Sequence, residues 1–166
     1  MLIRTEAPAD ILPIDRLLKA AFTTQAEAEL AMTLRENGRL TLSLVACNDD
    51  GEVIGYVLFT PVLIEGQDLG WQGLAPVAVK KEYRNQGIAA ALIREGFESL
   101  RDFGYPVCVV LGDPDYYARL GFEAAEKHDF HCIWDVPEGV FQVIELESGA
   151  FSGRKGMIEY SPEFSL

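Results

Sequence analysis

Residues 75–97 read APVAVKKEYRNQGIAAALIREGF. The stretch begins apolar, turns polar through Lys80, Lys81, Glu82 and Tyr83, passes Gly87 and becomes an amphipathic run. Ile88, Leu92, Ile93, Gly96, Phe97, Leu100 and Phe103 recur at helical spacing and make an apolar stripe, which Gly104 ends. The β-branched run YPVCVVLG follows (residues 105–112), as in a strand buried on both faces. Strand, helix, strand is a crossover, so the second strand is expected parallel to the first.

The junction RNQGIA (residues 84–89) carries the chemistry. A helix N-terminus offers free backbone N–H groups and about half a positive charge, and phosphates bind there. Gly87 permits close approach and unusual backbone angles, Ala89 leaves room, and Arg84 adds a permanent cation. The junction is expected to cradle a pyrophosphate. It is neither a P-loop nor a dinucleotide fingerprint, because Gly-x-x-x-x-Gly-Lys and Gly-x-Gly-x-x-Gly are both absent. Pro76 removes a ladder donor from the strand before the loop and favours a bulge.

Working outward, MLIRTE reads as a short first strand. Asp10 or Ala9 then opens a helix with Ile11, Ile14, Leu17, Leu18, Ala21 and Phe22 on one face. A second helix is expected from about Gln25 to Glu36, with Gly38 as its C′ residue. TLSLVACN and EVIGYVLFTPVLI flank the hairpin signal NDDG, and GWQGLAPVAV completes an antiparallel meander. After the crossover, GDPDYYARLGF encodes a short helix with Asp113 as N-cap, Pro114 at its first position and Gly121 at its end. Late strands are expected near FHCIWDV and VFQVIELE, with one more short strand in GRKGMIEYSPEF. The fold class is α+β, with a mixed, mostly antiparallel sheet and one parallel crossover.

The totals bound the rest. A length of 166 residues favours one domain, 1–166, and 49% hydrophobic residues suffice for a core without disulfide or metal. A net charge of −12 opposes general affinity for nucleic acid or anionic membranes, and mildly favours a cationic or neutral substrate. The three cysteines, Cys47, Cys108 and Cys132, sit in apolar runs with no C-x-x-C pair, which reads as a reducing compartment. No signal-peptide core and no membrane-length apolar run is present, so a cytoplasmic location is expected. His128 and His131 lie near Asp129 and Cys132, but residues three apart on a strand face opposite sides, and no metal is expected.

The pattern Arg84-x-x-Gly87-x-Ala89, between a strand and an amphipathic helix, resembles the acyl-CoA pyrophosphate loop of the GNAT superfamily of N-acetyltransferases. Tyr117 through Phe122 resembles that family's Tyr-x-x-x-Gly-Phe signature. VVLGDPDYYARLGF and FQVIELESGAF look most like its YhbS-like branch. Two positions depart from the pattern: Asn85 stands where the family often has glycine, and Ala89 is the less common choice.

The resemblance covers most of the chain and implies the GNAT fold, with a V-shaped splay between the central parallel strands and helices on both faces of the sheet. It implies acetyl-CoA as co-substrate, no metal, and direct transfer to a primary amine of a small molecule. Residues 84–89 (Arg84, Asn85, Gln86, Gly87, Ile88 and Ala89) would meet the pyrophosphate, and the backbone of Val77, Ala78 and Val79 would meet the pantetheine arm. The N–H of Val77 or Ala78 would stabilise the oxyanion. Tyr117 would contact the cofactor and protonate the departing thiolate, since a phenol pKa near 10 is close to that of an alkyl thiol. Tyr116 points about 100° away on a helix, so only one of the two tyrosines can serve. Phe22, Thr24 and Gln25 fall at the junction that lines the acceptor pocket in this family. Homodimers are common among similar proteins. A non-catalytic acyl-CoA sensor and an enzyme acting on a protein amine share these residues. A nucleotide-binding enzyme would need the motifs that are absent.

Overall fold

The computed structural model describes residues 1–165 and begins with strand β1 (Leu2–Thr5) and helices α1 (Ile11–Ala21) and α2 (Ala26–Glu36). Strands β2 (Leu42–Cys47), β3 (Val53–Ile64) and β4 (Gln72–Val79) follow, then helix α3 (Ile88–Asp102), strand β5 (Val107–Leu111) and helix α4 (Pro114–Ala118). Strands β6 (Glu123–Ala124), β7 (Phe130–His131), β8 (Phe141–Glu145) and β9 (Gly156–Tyr160) complete the order. Two units divide the chain. The first holds Met1–Phe59, Ala75–Gly96 and the described residues from Pro162; the second holds Thr60–Leu74 and Phe97–Ser161.

In the first unit β1 runs antiparallel to β2 (Leu2↔Cys47 to Thr5↔Leu44), and β2 antiparallel to β3 (Leu42↔Phe59 to Ala46↔Gly55). The turn between β2 and β3 is closed by its asparagine as well as by Gly51. Asn48 Oδ1 accepts from the backbone N–H groups of Asp50 and Glu52 at 3.0 and 2.9 Å. Side chains alternate across β3. Tyr56 and Leu58 join Ile14, Leu17 and Leu18 of α1 and Ala28, Ala31 and Leu34 of α2 in one buried cluster, which also takes Ala78 of β4. Phe59 and Gly55 face the other way, towards α3, and a methyl group at Gly96 would run into the Phe59 ring. Helices therefore cover both faces of β3.

The helix signals read locally hold in detail. Gly38 N–H donates to Arg35 O and Arg39 N–H to Leu34 O, the paired bonds of a Schellman end. Gly104 and Tyr105 repeat them on Arg101 and Leu100. Asp10 behaves differently from a plain N-cap. It accepts from Ala7 N–H at 2.7 Å and from Arg4 Nη1 and Nη2 at 2.6 and 3.0 Å, tying β1 to the turn before α1.

In the second unit β4 pairs in parallel with β5 at Gln72↔Cys108 and Gly73↔Val109, the first two of its 8 residues. The Ala75–Pro76 peptide is cis, and the strand continues through it. β8 runs antiparallel to β5 (Val107↔Glu145 to Leu111↔Phe141) and to β6, while β9 pairs antiparallel with the end of β3 and parallel with β7. A second core gathers Trp71, Val107, Val109, Phe130, Phe141, Val143 and Ile158. The sheet is mixed and mostly antiparallel, as expected.

Three expectations need correcting. Phe103 lies beyond α3 and is 73% exposed, because the helix stops before that turn of the stripe is reached. The strand expected over FHCIWDV is only Phe130–His131; the chain then leaves the sheet, exposing Ile133. His128 is not on a strand. It ends the 3-10 turn Ala125–His128 and approaches Glu123 Oε1 at 3.4 Å, followed by Asp129 in the left-handed region at φ 62°.

Candidate active site

Three bonds inside the first unit set the path from β4 to α3. Lys80 N–H donates to Ile54 O at 2.8 Å. Asn48 Nδ2 donates to Tyr83 Oη at 3.0 Å, holding the 3-10 turn Lys81–Tyr83. Arg84 Nε donates to Val79 O at 3.1 Å. The chain then passes through Asn85 (φ 64°) and Gly87 (φ 78°), and α3 starts with Ala91 N–H donating to Gly87 O. Two left-handed residues around Gln86 expose residues 84–87, while Ile88 is buried and anchors the helix. The N–H groups of the first turn, at Ile88, Ala89 and Ala90, have no partner within a helix that begins here.

The left-handed φ at position 87 favours glycine, and the space beside it is open. Asparagine tolerates the left-handed region better than other side chains, so Asn85 keeps the geometry that glycine would provide. The departure from the pattern at that position is therefore conservative in backbone terms.

The strand before the loop presents two edges. Lys80 N–H points towards β3, since it bonds to Ile54. Backbone groups alternate along an extended strand, so Ala78 N–H shares that direction while Val77 and Val79 turn to the opposite edge. The Ala78 side chain is buried at 6% exposure in the first core, and Val77 and Val79 are half-buried.

Tyr117 belongs to the second unit. Asp113 caps α4 by accepting from Asp115 N–H at 3.0 Å, with Pro114 at the first helical position. The Tyr117 ring lies over Gly112, where any Cβ would collide with it, and stands edge-on to Phe122 at 5.6 Å. The Tyr116 ring meets it edge-on at 5.0 Å. Burial pushes the Tyr117 phenol up to about 12. Among the described residues its hydroxyl makes no hydrogen bond.

The remaining candidates are local. Phe22 packs against the first core. Thr24 Oγ1 accepts from Ala26 N–H at 3.3 Å and donates to Glu27 Oε1 at 3.5 Å, while Gln25 sits exposed just before α2. Sequence reasoning passed over Glu27 and Glu163, which line one cavity with Leu30 and Phe164. Nothing in the sequence near either glutamate signals the other.

A model of the "Acetyltransferase (GNAT) domain" matches residues 3–125. The chain is 51% identical over 165 residues to the Escherichia coli K12 protein named uncharacterized N-acetyltransferase YhbS, covering 99% of each chain. The crystal structure of E. coli YhbS in complex with CoA superposes with a TM-score of 0.97 at 50% identity, covering 99% of this chain and 92% of that one. A GNAT family acetyltransferase from Brucella melitensis, solved with acetyl-CoA, superposes with a TM-score of 0.81 at 38% identity, covering 98% and 97%.

Proposed function

Because this chain belongs to the GNAT acetyltransferase family, we propose that it moves an acetyl group from acetyl-CoA to a primary amine of a small molecule by direct transfer, with the whole chain acting as one catalytic domain. The observation that carries the reading is the loop at residues 84–89. Its two left-handed residues leave the first turn of α3 exposed to an anion, beside the open space at Gly87. Residues 84–89 hold the pyrophosphate through backbone N–H groups. Arg84 has its Nε committed to Val79 O, which leaves its terminal nitrogens to meet a phosphate.

The thioester supplies the acetyl group. Val77, at the edge turned away from β3, is the oxyanion donor in preference to Ala78, whose N–H faces β3. Val79 and Val77 offer the same edge to the pantetheine arm. Tyr117 holds a proton at Oη for the departing sulfur. A phenol at about 12 is a weaker acid than the ordinary value of 10 assumed from sequence, so its first service is as a hydrogen-bond donor to that sulfur. Phe22, Thr24 and Gln25 line the acceptor side. The net charge of −12 mildly favours a cationic or neutral amine as the incoming substrate, and an amine that arrives as an ammonium ion gives up a proton before its nitrogen attacks the thioester. Three free thiols support a reducing, cytoplasmic setting. Among the described residues no helix is long and apolar enough to cross a membrane.

Thermal melting with acetyl-CoA, against ATP and NAD, tests the site. A ligand at about 100 times its Kd adds about 2.7 kcal/mol and raises Tm by several degrees. A shift with acetyl-CoA alone is expected. Stabilisation by ATP or NAD in its place would remove the loop from this role. A Tyr117→Phe variant that transfers acetyl groups at the parent rate would remove the acid. Acetyl-CoA binding with no amine accepted by the parent would favour the sensor reading.

A further inference from the structure

Near the C-terminus, the 3-10 turn Pro162–Ser165 brings in a carboxylate, Glu163, to which the proposed transfer assigns no role. Glu163 is 7% exposed. Its Oε2 accepts from Asn37 Nδ2 at 2.6 Å and from Arg39 Nε at 3.4 Å. The Asn37 bond above all, with help from Arg39, holds the carboxyl below its ordinary range, so Glu163 is an anion at neutral pH. Its other oxygen, Oε1, is buried without a hydrogen-bond partner among the described residues. Glu27, in the first turn of α2, repeats the arrangement. Its Oε1 takes the Thr24 hydroxyl at 3.5 Å, and its Oε2 is buried with no hydrogen-bond partner among the described residues.

Both glutamates line a cavity of about 380 Å³ whose apolar wall is Leu30 and Phe164. A buried anionic oxygen without a donor is unfavourable, and two on one cavity call for a ligand that brings positive charge and several N–H groups. The apolar wall calls for hydrocarbon beside that charge. A metal ion does not match, since no three His, Cys, Asp or Glu side chains converge on one point among the described residues. A primary ammonium has three donors and an alkyl stem.

We propose that this cavity is a binding site for an alkylammonium ion, which donates to Glu163 Oε1 and Glu27 Oε2 and lays its chain against Leu30 and Phe164. The site stands whether or not the chain transfers acetyl groups. The acidity of the whole protein draws cations towards it.

Isothermal titration of the full chain without acetyl-CoA tests the site, using butylamine and the diamine putrescine as ligands and ammonium and magnesium chloride as controls. Both amines bind, and each binds more tightly than ammonium because of its alkyl chain. Glu163→Gln weakens butylamine by about tenfold or more. That variant also loosens Asn37 and Arg39, so Glu27→Gln, which leaves those bonds alone, is the second arm and weakens the amine on its own; the melting curve of each variant reports whether it is folded. Absence of heat with either amine up to about 10 mM, amine binding that Glu27→Gln leaves unchanged, or binding of magnesium in place of the amines overturns the proposal.

Discussion

The loop at residues 84–89 and the segment around Tyr117 are proposed to serve one reaction by opposite means. The loop works with backbone: left-handed angles at Asn85 and Gly87 uncover N–H groups at the start of α3, and most of its side chains point into solvent. The Tyr117 segment works with one side chain, packed over Gly112 and against Phe122, whose proton affinity is raised by burial. A backbone device tolerates many side chains and fails when the angles become unaffordable to the residue. A side-chain device fails when one atom is removed, or when its seat is filled.

The largest effect should come from that one atom. Tyr117→Phe lowers kcat by about a hundredfold or more while the Kd for acetyl-CoA stays within about twofold, because only the proton is lost. Steady-state rates with titration of acetyl-CoA check both halves. Next, Gly87→Val forces a β-branched residue to φ 78° and weakens acetyl-CoA by about tenfold to a hundredfold. Gly87→Asn retains most of the affinity, as Asn85 already does beside it. Equal loss in the two variants would mean that side-chain bulk, not backbone angle, governs the loop.

A smaller effect attacks the seat of Tyr117. Gly112→Ala puts a methyl group into the ring and destabilises the fold by about 1–3 kcal/mol, with a fall in kcat as the phenol is displaced. Denaturant unfolding and rates on the folded fraction separate the two. The smallest concerns acid. The Glu163 carboxyl lies below its ordinary value of 4.5 in the folded chain. Its contribution is therefore fully present above that value and is lost as pH falls through the lower, folded-state pKa. Melting from about pH 6 to pH 3 should show the gap between parent and Glu163→Gln narrowing towards acid. A gap independent of pH would deny Glu163 its charge.

What could be read ahead of the structure follows the reach of each interaction. The hairpin at residues 48–51, the Schellman ends at Gly38 and Gly104, the cap at Asp113 and the loop at residues 84–89 each depend on residues a few positions apart, and their rules apply to any chain. Periodicity also placed β5, with Val107 to Val109 fully buried, and the buried face of α3 as far as Leu100. It overran at Phe103 because a pattern does not say where packing partners end. It missed how short β7 is, since a strand lasts only as long as its neighbour pairs with it, here Gly156 and Met157.

Sequence by itself determined the family and marked the candidate pyrophosphate loop and the candidate tyrosine, because those are encoded in contiguous residues with fixed local geometry. Tertiary structure alone set which edge the N–H groups of Val77 and Ala78 face, through a bond from Lys80 to Ile54. It alone raised the Tyr117 phenol, since burial is a property of everything packed around a group. It alone brought Glu163 to Asn37, 126 positions away, and to the cavity it shares with Glu27. Charge and hydrogen-bond satisfaction act through space, and the chain order of two distant glutamates carries no trace of the cavity they come to share.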